Sequence, residues 1–311
     1  MIPGVTSLEA LKGADLDITL TIDVLRSLSD SVVVPWINHP RDASLFESMR
    51  SEPSLGGREG WITGHHDARW DFRSSGPNRR SASTTPSRDS WRVLMTRHVV
   101  PFGISEAAAF QQYLPSPSAL RGATATDAGG EPELVEEHPL IVMRHPSRND
   151  DSRTLIATAL PSSGFLHNKG YVHAIRQAPG APTDTLLALL AYLNSFTCDW
   201  WVRRFVDRHI TAPVVNNIRL PAWDDSTITR AADLAAGRLI VNGTATLAGG
   251  RPLHSSTAEL ADYDSRAEIE GLSARGFGFA RADMEMLLED FSRRDAACPP
   301  ALRTLILERL G

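Results

Sequence analysis

Arg144, Arg148 and Arg153 stand within an eleven-residue polar stretch, residues 144–154, together with Ser147, Asn149, Asp150, Asp151, Ser152 and Thr154, and apolar runs flank it on both sides. Guanidinium forks suit phosphate oxygens and guanine edges, and carboxamides suit adenine edges, so the chemistry this composition offers is contact with nucleic acid. Phe165, His167, Asn168 and Tyr171 add a second loop with stacking and hydrogen-bonding groups. Arg203, Arg204, Arg208 and His209 follow at the far end of the strongest helical pattern, where cations also complement the helix dipole. Arg79 and Arg80 sit in a Ser, Pro, Gly and Arg-rich stretch, residues 74–90, suited to tracking a phosphate backbone from an exposed loop. Each of these residues taken singly also has an ordinary structural role: Arg153 as the partner of Asp150 or Asp151, Asn168 as a turn former. On the nucleic-acid reading, Arg153→Ala weakens DNA binding and flattens its salt dependence.

Several catalytic chemistries fail on spacing. A magnesium nuclease of the common type needs an acid two residues before a lysine; the two lysines have Ala10 and His167 at that position. His65, His66 and Asp67 are adjacent rather than convergent, and a solvated loop is the expectation there. There is no GxSxG elbow and no GxxxxGK[ST] loop. Gly276-Phe277-Gly278 lacks a preceding strand and reads as a turn between helices. Cys198 and Cys298 are far apart with no CxxC spacing, as expected of reduced thiols.

The elements that must position these groups are read from periodicity. Residues 18–37 suggest an entry strand or short helix ending at Pro35. Residues 40–49 suggest a short amphipathic helix capped by Asp42, with Leu45, Phe46 and Met49 on one face. Residues 91–100 suggest a strand, residues 105–113 a short helix with Ser105 as cap, and residues 140–143 and 154–160 two adjacent strands presenting the Arg-rich loop. Residues 183–205 read as one long helix whose apolar face Asn194 and Ser195 interrupt. Residues 231–261 are weakly patterned, residues 267–272 and 282–291 read as a helical pair, and residues 301–310 as a last helix started by Pro299-Pro300. The expected fold is therefore α+β, a mixed-sheet recognition domain with a helical C-terminal portion. Its expected divisions are 1–114, an N-terminal lobe with the basic loop; 115–132, a flexible linker; 133–225, a recognition core; and 226–311, the helical portion.

With 311 residues and 42% hydrophobic content, the chain is long enough for a sizeable core. No apolar run reaches the roughly 20 residues of a membrane span and the N-terminus lacks a signal pattern, so a cytoplasmic location with no membrane partner is expected. The net charge of −5 argues mildly against nucleic acid, but its distribution is uneven. Residues 58–97 are basic, whereas Glu259, Asp262, Asp264, Glu268, Glu270, Asp283, Glu285, Glu289 and Asp290 concentrate acid near the C-terminus. Nearly all positive charge is arginine, which a GC-rich genome also explains.

In order along the chain, these features resemble the C-terminal target-recognition region of DNA adenine methyltransferases from type IIG restriction-modification and related phage-defence systems. Arg144, Arg148, Asp151, Arg153, Thr154 and Pro161 match that family's Arg-x-x-x-Arg-x-x-Asp-x-Arg-Thr pattern and the strand that ends in proline. Leu193, Asn194, Ser195, Asp199, Arg203, His209, Leu220 and Pro221 match its next block. Residues 40–55 and 266–291 are similar to its flanking segments, and residues 212–217 depart from it, standing where the family has an aromatic run. The resemblance implies double-stranded DNA as one partner and a methyltransferase catalytic subunit or domain as another. That partner would bind S-adenosylmethionine, because this chain carries neither the Asn/Asp-Pro-Pro-aromatic loop that holds a flipped adenine nor the glycine motif of the cofactor site. No catalytic, cofactor or metal residue is expected in the chain itself. The set assigned to DNA is Arg79, Arg80, Arg144, Arg148, Asn149, Arg153, Asn168, Asn194, Arg203, Arg204, Arg208 and His209. The alternatives are an assembly subunit of a defence complex that does not read DNA, with Trp200, Trp201 and Phe205 as interface anchors, and a decayed gene fragment.

Overall fold

A computed structural model of the chain describes residues 35–36, 42–57, 62–67, 71–76, 82–114, 140–161, 164–168, 170–178, 180–241, 247, 262–292 and 297–311. The expected linker at 115–132, Arg79, Arg80 and most of residues 18–37 lie outside the described residues.

The fold is α+β. Its largest sheet has the order β1 (Ile62–Asp67), β9 (Val172–Gln177), β6 (Leu140–Arg144), β7 (Ala157–Ala159), with every neighbour antiparallel. In a second sheet β2 (Trp91–Val93) runs antiparallel to β5 (Tyr113–Leu114) and parallel to β8 (Phe165–Leu166). The strands β3 (Val99–Val100) and β4 (Gly103–Ile104) form a hairpin over Pro101 and Phe102. Both larger sheets therefore draw strands from either side of residues 115–132.

Among the described residues, α1 (Asp42–Arg50) buries Leu45, Phe46 and Met49 on one face, as the spacing predicts. Phe46 stacks on Trp201 with ring centroids 4.9 Å apart. Asp42 is the first described residue of this helix, and it lies 3.7 Å from Arg204. The long helix expected over 183–205 is two helices, α2 (Thr183–Leu193) and α3 (Phe196–Arg203). Ser195 ends the first run because its hydroxyl accepts the Cys198 N–H at 3.0 Å and starts a new helix, while Asn194 turns its carboxamide to the Ala157 backbone. α2 packs on α5 (Asp225–Val241), a helix that covers the start of the weakly patterned stretch, residues 231–241. Small residues hid it: Ala231, Ala232, Ala235 and Ala236 are buried beside Leu234 and Leu239, so much of its packing face is alanine. A short α4 (Ala212–Asn216) precedes the Leu220-Pro221 end.

The C-terminal helices α6 (Asp262–Gly276), α7 (Arg281–Ser292) and α8 (Pro300–Glu308) agree with the expected pair and last helix, including Pro299 as cap and Pro300 at the first helical position. Gly276-Phe277-Gly278 is the turn between α6 and α7, with Gly278 at φ 69°. A Cβ on Gly276 would lie 2.4 Å from the Pro221 Cβ, so glycine is what lets this turn close on the Leu-Pro segment. One buried apolar cluster runs from Leu45 through the sheet and α2 to Leu307, joining the N-terminal, central and C-terminal segments.

Three further expectations are corrected. Residues 105–112 form no helix, and the strand expected at 91–100 is divided by the 3-10 turn Thr96–His98, in which His98 Nδ1 accepts the Met95 N–H at 2.9 Å. His65, His66 and Asp67 lie on β1 rather than in a loop. Cys198 and Cys298 are free and buried; burial pushes both thiols up, Cys298 to about 11. No helix among the described residues is long and apolar enough to cross a membrane.

Candidate functional site

The pair β6–β7 presents residues 144–156 as a loop, as the apolar runs predict. Its centre is Asp199, fully buried on α3. The Arg153 Nε donates to one Asp199 oxygen at 2.6 Å, the Arg203 Nε to the other at 3.1 Å, and the Thr154 N–H is shared between them at 3.1 and 3.2 Å. Arg203 then reaches back, its Nη2 donating to the carbonyls of Asp151 at 2.8 Å and Ser152 at 2.7 Å. The Arg144 Nη2 donates to the Arg153 carbonyl, and Thr154 Oγ1 donates to the Arg148 carbonyl at 2.8 Å. Burial lowers the Arg144 pKa, with Asp151 and Asp199 opposing. The two motif blocks around 144–154 and 193–203 are thus one hydrogen-bonded network that fixes the loop on the helix.

That network reassigns several residues expected to touch DNA. Arg153 is 7% exposed, donates Nη2 to the carbonyls of Asn194 and Ser195, and lies 4.6 Å over the Phe196 ring. Asn194 is buried on the Ala157 backbone, accepting its N–H at 3.1 Å and donating to its carbonyl at 2.9 Å. Asn168 is fully buried, its Oδ1 accepting the Phe72 N–H at 3.0 Å. Arg204 is buried between Asp290 and Asp42 and lies 4.2 Å over Trp200. These four side chains belong to the interior, because each has internal acceptors or donors in place of water; Arg203 is mostly committed in the same way. Of the alternative pairings expected for Arg153, neither Asp150 nor Asp151 is its partner; Asp199 is.

Arg148, Arg208 and His209 are exposed, and Asn149 is half-buried. Arg148 pairs with Asp150 at 3.0 Å in the open. The loop and the turn that carries Arg208 and His209 meet through His145, whose ring stacks on His209 with centroids 4.9 Å apart. The His145 Nδ1 also lies 2.7 Å from His173 Nε2 on β9. Sequence reasoning passed over His145 and His173 as contact-forming residues, since nothing local links a loop histidine to one 28 positions away. Trp200, Trp201 and Phe205 are buried, so they are core rather than interface anchors. Among the described residues no group of three or more His, Cys, Asp or Glu side chains is placed to hold a metal.

In comparisons with known proteins, no family model matches the chain, and no curated protein matches it.

Proposed function

We propose that the chain reads double-stranded DNA for an adenine methyltransferase whose S-adenosylmethionine-binding catalytic subunit or domain lies elsewhere. The observation that carries this reading is the joining of residues 144–156 to the 207–209 turn through the Asp199 network and the His145–His209 stack. Two segments far apart in sequence are held rigidly side by side, and Arg148, Asn149, Arg208 and His209 stand at their outer surface. A preorganised loop suits base-edge readout, since little ordering entropy is lost on binding. Asp150 and Asp207, both exposed, accompany the cations and suit cytosine amino groups. The buried Arg and Asn side chains set the loop's shape without touching DNA themselves. The methyl transfer belongs to the partner.

The test is fluorescence anisotropy with duplex DNA over a series of salt concentrations. Arg148→Ala and Arg208→Ala should each weaken binding and reduce the salt slope by about 1, as loss of one phosphate contact does. Absence of binding at low salt supports the assembly-subunit reading instead. A neighbouring reading frame encoding the Asn/Asp-Pro-Pro-aromatic loop would identify the partner.

A further inference from the structure

The tip of the Arg-rich loop is a tight turn over residues 148–151, closed by the Asp151 N–H donating to the Arg148 carbonyl at 3.3 Å. Arg148 is held at both of its backbone groups. Its N–H donates to the Asp151 carboxylate at 3.1 Å, and its carbonyl also accepts Thr154 Oγ1 at 2.8 Å. Thr154 is fixed in turn by Asp199, and the carbonyls of Asp151 and Ser152 by Arg203. The buried network therefore sets the backbone from which the Arg148 side chain leaves.

The side chain is set as well. Asp150 meets it fork to fork, Nε to Oδ1 at 3.0 Å and Nη2 to Oδ2 at 3.1 Å, although both side chains are at least half exposed. An ion pair this open to solvent adds little stability, so what it fixes is direction. A guanidinium carries five N–H groups, and Asp150 takes one from Nε and one from Nη2. The end-on fork of Nη1 and Nη2 is left open, since Nη1 has no hydrogen-bond partner among the described residues. By contrast, the Nη2 groups of Arg144, Arg153 and Arg203 all end on backbone carbonyls.

We infer that Arg148 reads a guanine in the major groove, its end-on fork donating to O6 and N7, and that Asp150 is the positioning residue that aims it. Guanine is the base whose major-groove edge offers two adjacent acceptors; adenine sets an amino donor beside N7, cytosine presents a donor, and thymine a single acceptor beside a methyl group. Removing the cation lowers the salt slope whichever oxygen it faces, because Asp150 is left uncompensated. Dependence on base identity is what marks a base contact. The inference rests on the proposal that the chain reads DNA, and adds to it the base and the aiming residue.

Selection by the full chain from duplexes with a randomised centre tests it, followed by anisotropy on the selected site. Wild type should return one position fixed as guanine, and Arg148→Ala should lose the preference there while keeping the others. Asp150→Asn removes an anion, so it should bind random duplex at least as tightly as wild type, yet discriminate at that guanine several-fold less. Replacing the guanine by 7-deazaguanine, which lacks the N7 acceptor, should weaken wild type about tenfold and leave Arg148→Ala unaffected. Inosine, which keeps O6 and N7, should bind like guanine. Both substitutions are at exposed positions and keep the backbone bonds to Asp151 and Thr154, so the fold is retained. An unchanged preference in Arg148→Ala overturns the inference and leaves DNA reading standing, and undiminished discrimination in Asp150→Asn overturns the aiming role. A wild type that enriches no sequence overturns the inference and DNA reading together.

Discussion

Arg153→Ala separates a framework arginine from a contact arginine. The substitution deletes the 2.6 Å ion pair to Asp199, two hydrogen bonds to the carbonyls of Asn194 and Ser195, and the packing over Phe196. Removing one partner of a buried pair costs about 3–5 kcal/mol when the other charge is stranded. Asp199 is not wholly stranded, because the Arg203 Nε at 3.1 Å and the Thr154 N–H remain. The lower end, about 3 kcal/mol, is therefore the expected loss. In a chain of this size that corresponds to a fall in Tm of roughly 5 °C. Thermal and denaturant unfolding measure the loss, and anisotropy at several salt concentrations measures DNA binding of the folded variant. The expected result is a large stability loss with an unchanged salt slope. A loss below about 1 kcal/mol, together with a salt slope lower by about 1, would show that Arg153 reaches a phosphate and would refute the network account.

Glu270 gives a pH-dependent expectation. Burial holds its folded pKa at about 7, above its ordinary value of 4.5, so the folded state binds the extra proton in that window. The stability that this proton confers is present below about pH 4.5 and lost as pH rises through about 7, a change on the order of 3 kcal/mol. Glu270→Gln stays neutral throughout, so the stability difference between wild type and variant should change across that window in denaturant titrations; parallel curves would dismiss the burial argument. Gly276→Ala must displace Pro221 or Trp223, and should cost about 1–3 kcal/mol in unfolding experiments; a neutral outcome would mean the Leu-Pro segment moves freely.

Much of the scaffold was legible from periodicity. The face of α1, the β6–β7 pair, the terminal helices and the glycine turn follow from local rules, because large apolar residues or turn residues mark them. The misses have physical causes. α5 buries alanines, which carry little periodic signal, and α3 separates from α2 because Ser195 and Asn194 prefer bonds that a continuous helix does not offer. The ordered succession of Arg, Asp and Asn residues was visible, but its meaning depended on three-dimensional pairing. Asp199 lies 46 positions from Arg153, and no window of sequence reveals that the two neutralise each other. The exposed residues, Arg148 and Arg208, look the same in sequence as the buried ones.

The place of Asn194 bears on the open edge of the four-stranded sheet. β7 ends the order of the four-stranded sheet, and an unprotected last strand offers its backbone as a template for another molecule. The Asn194 carboxamide occupies both the N–H and the carbonyl of Ala157, and the Phe102 N–H takes the same carbonyl at 3.0 Å. The break between two helices thus acts as a stopper on sheet growth. Solubility, not only stability, is at stake where those helices part.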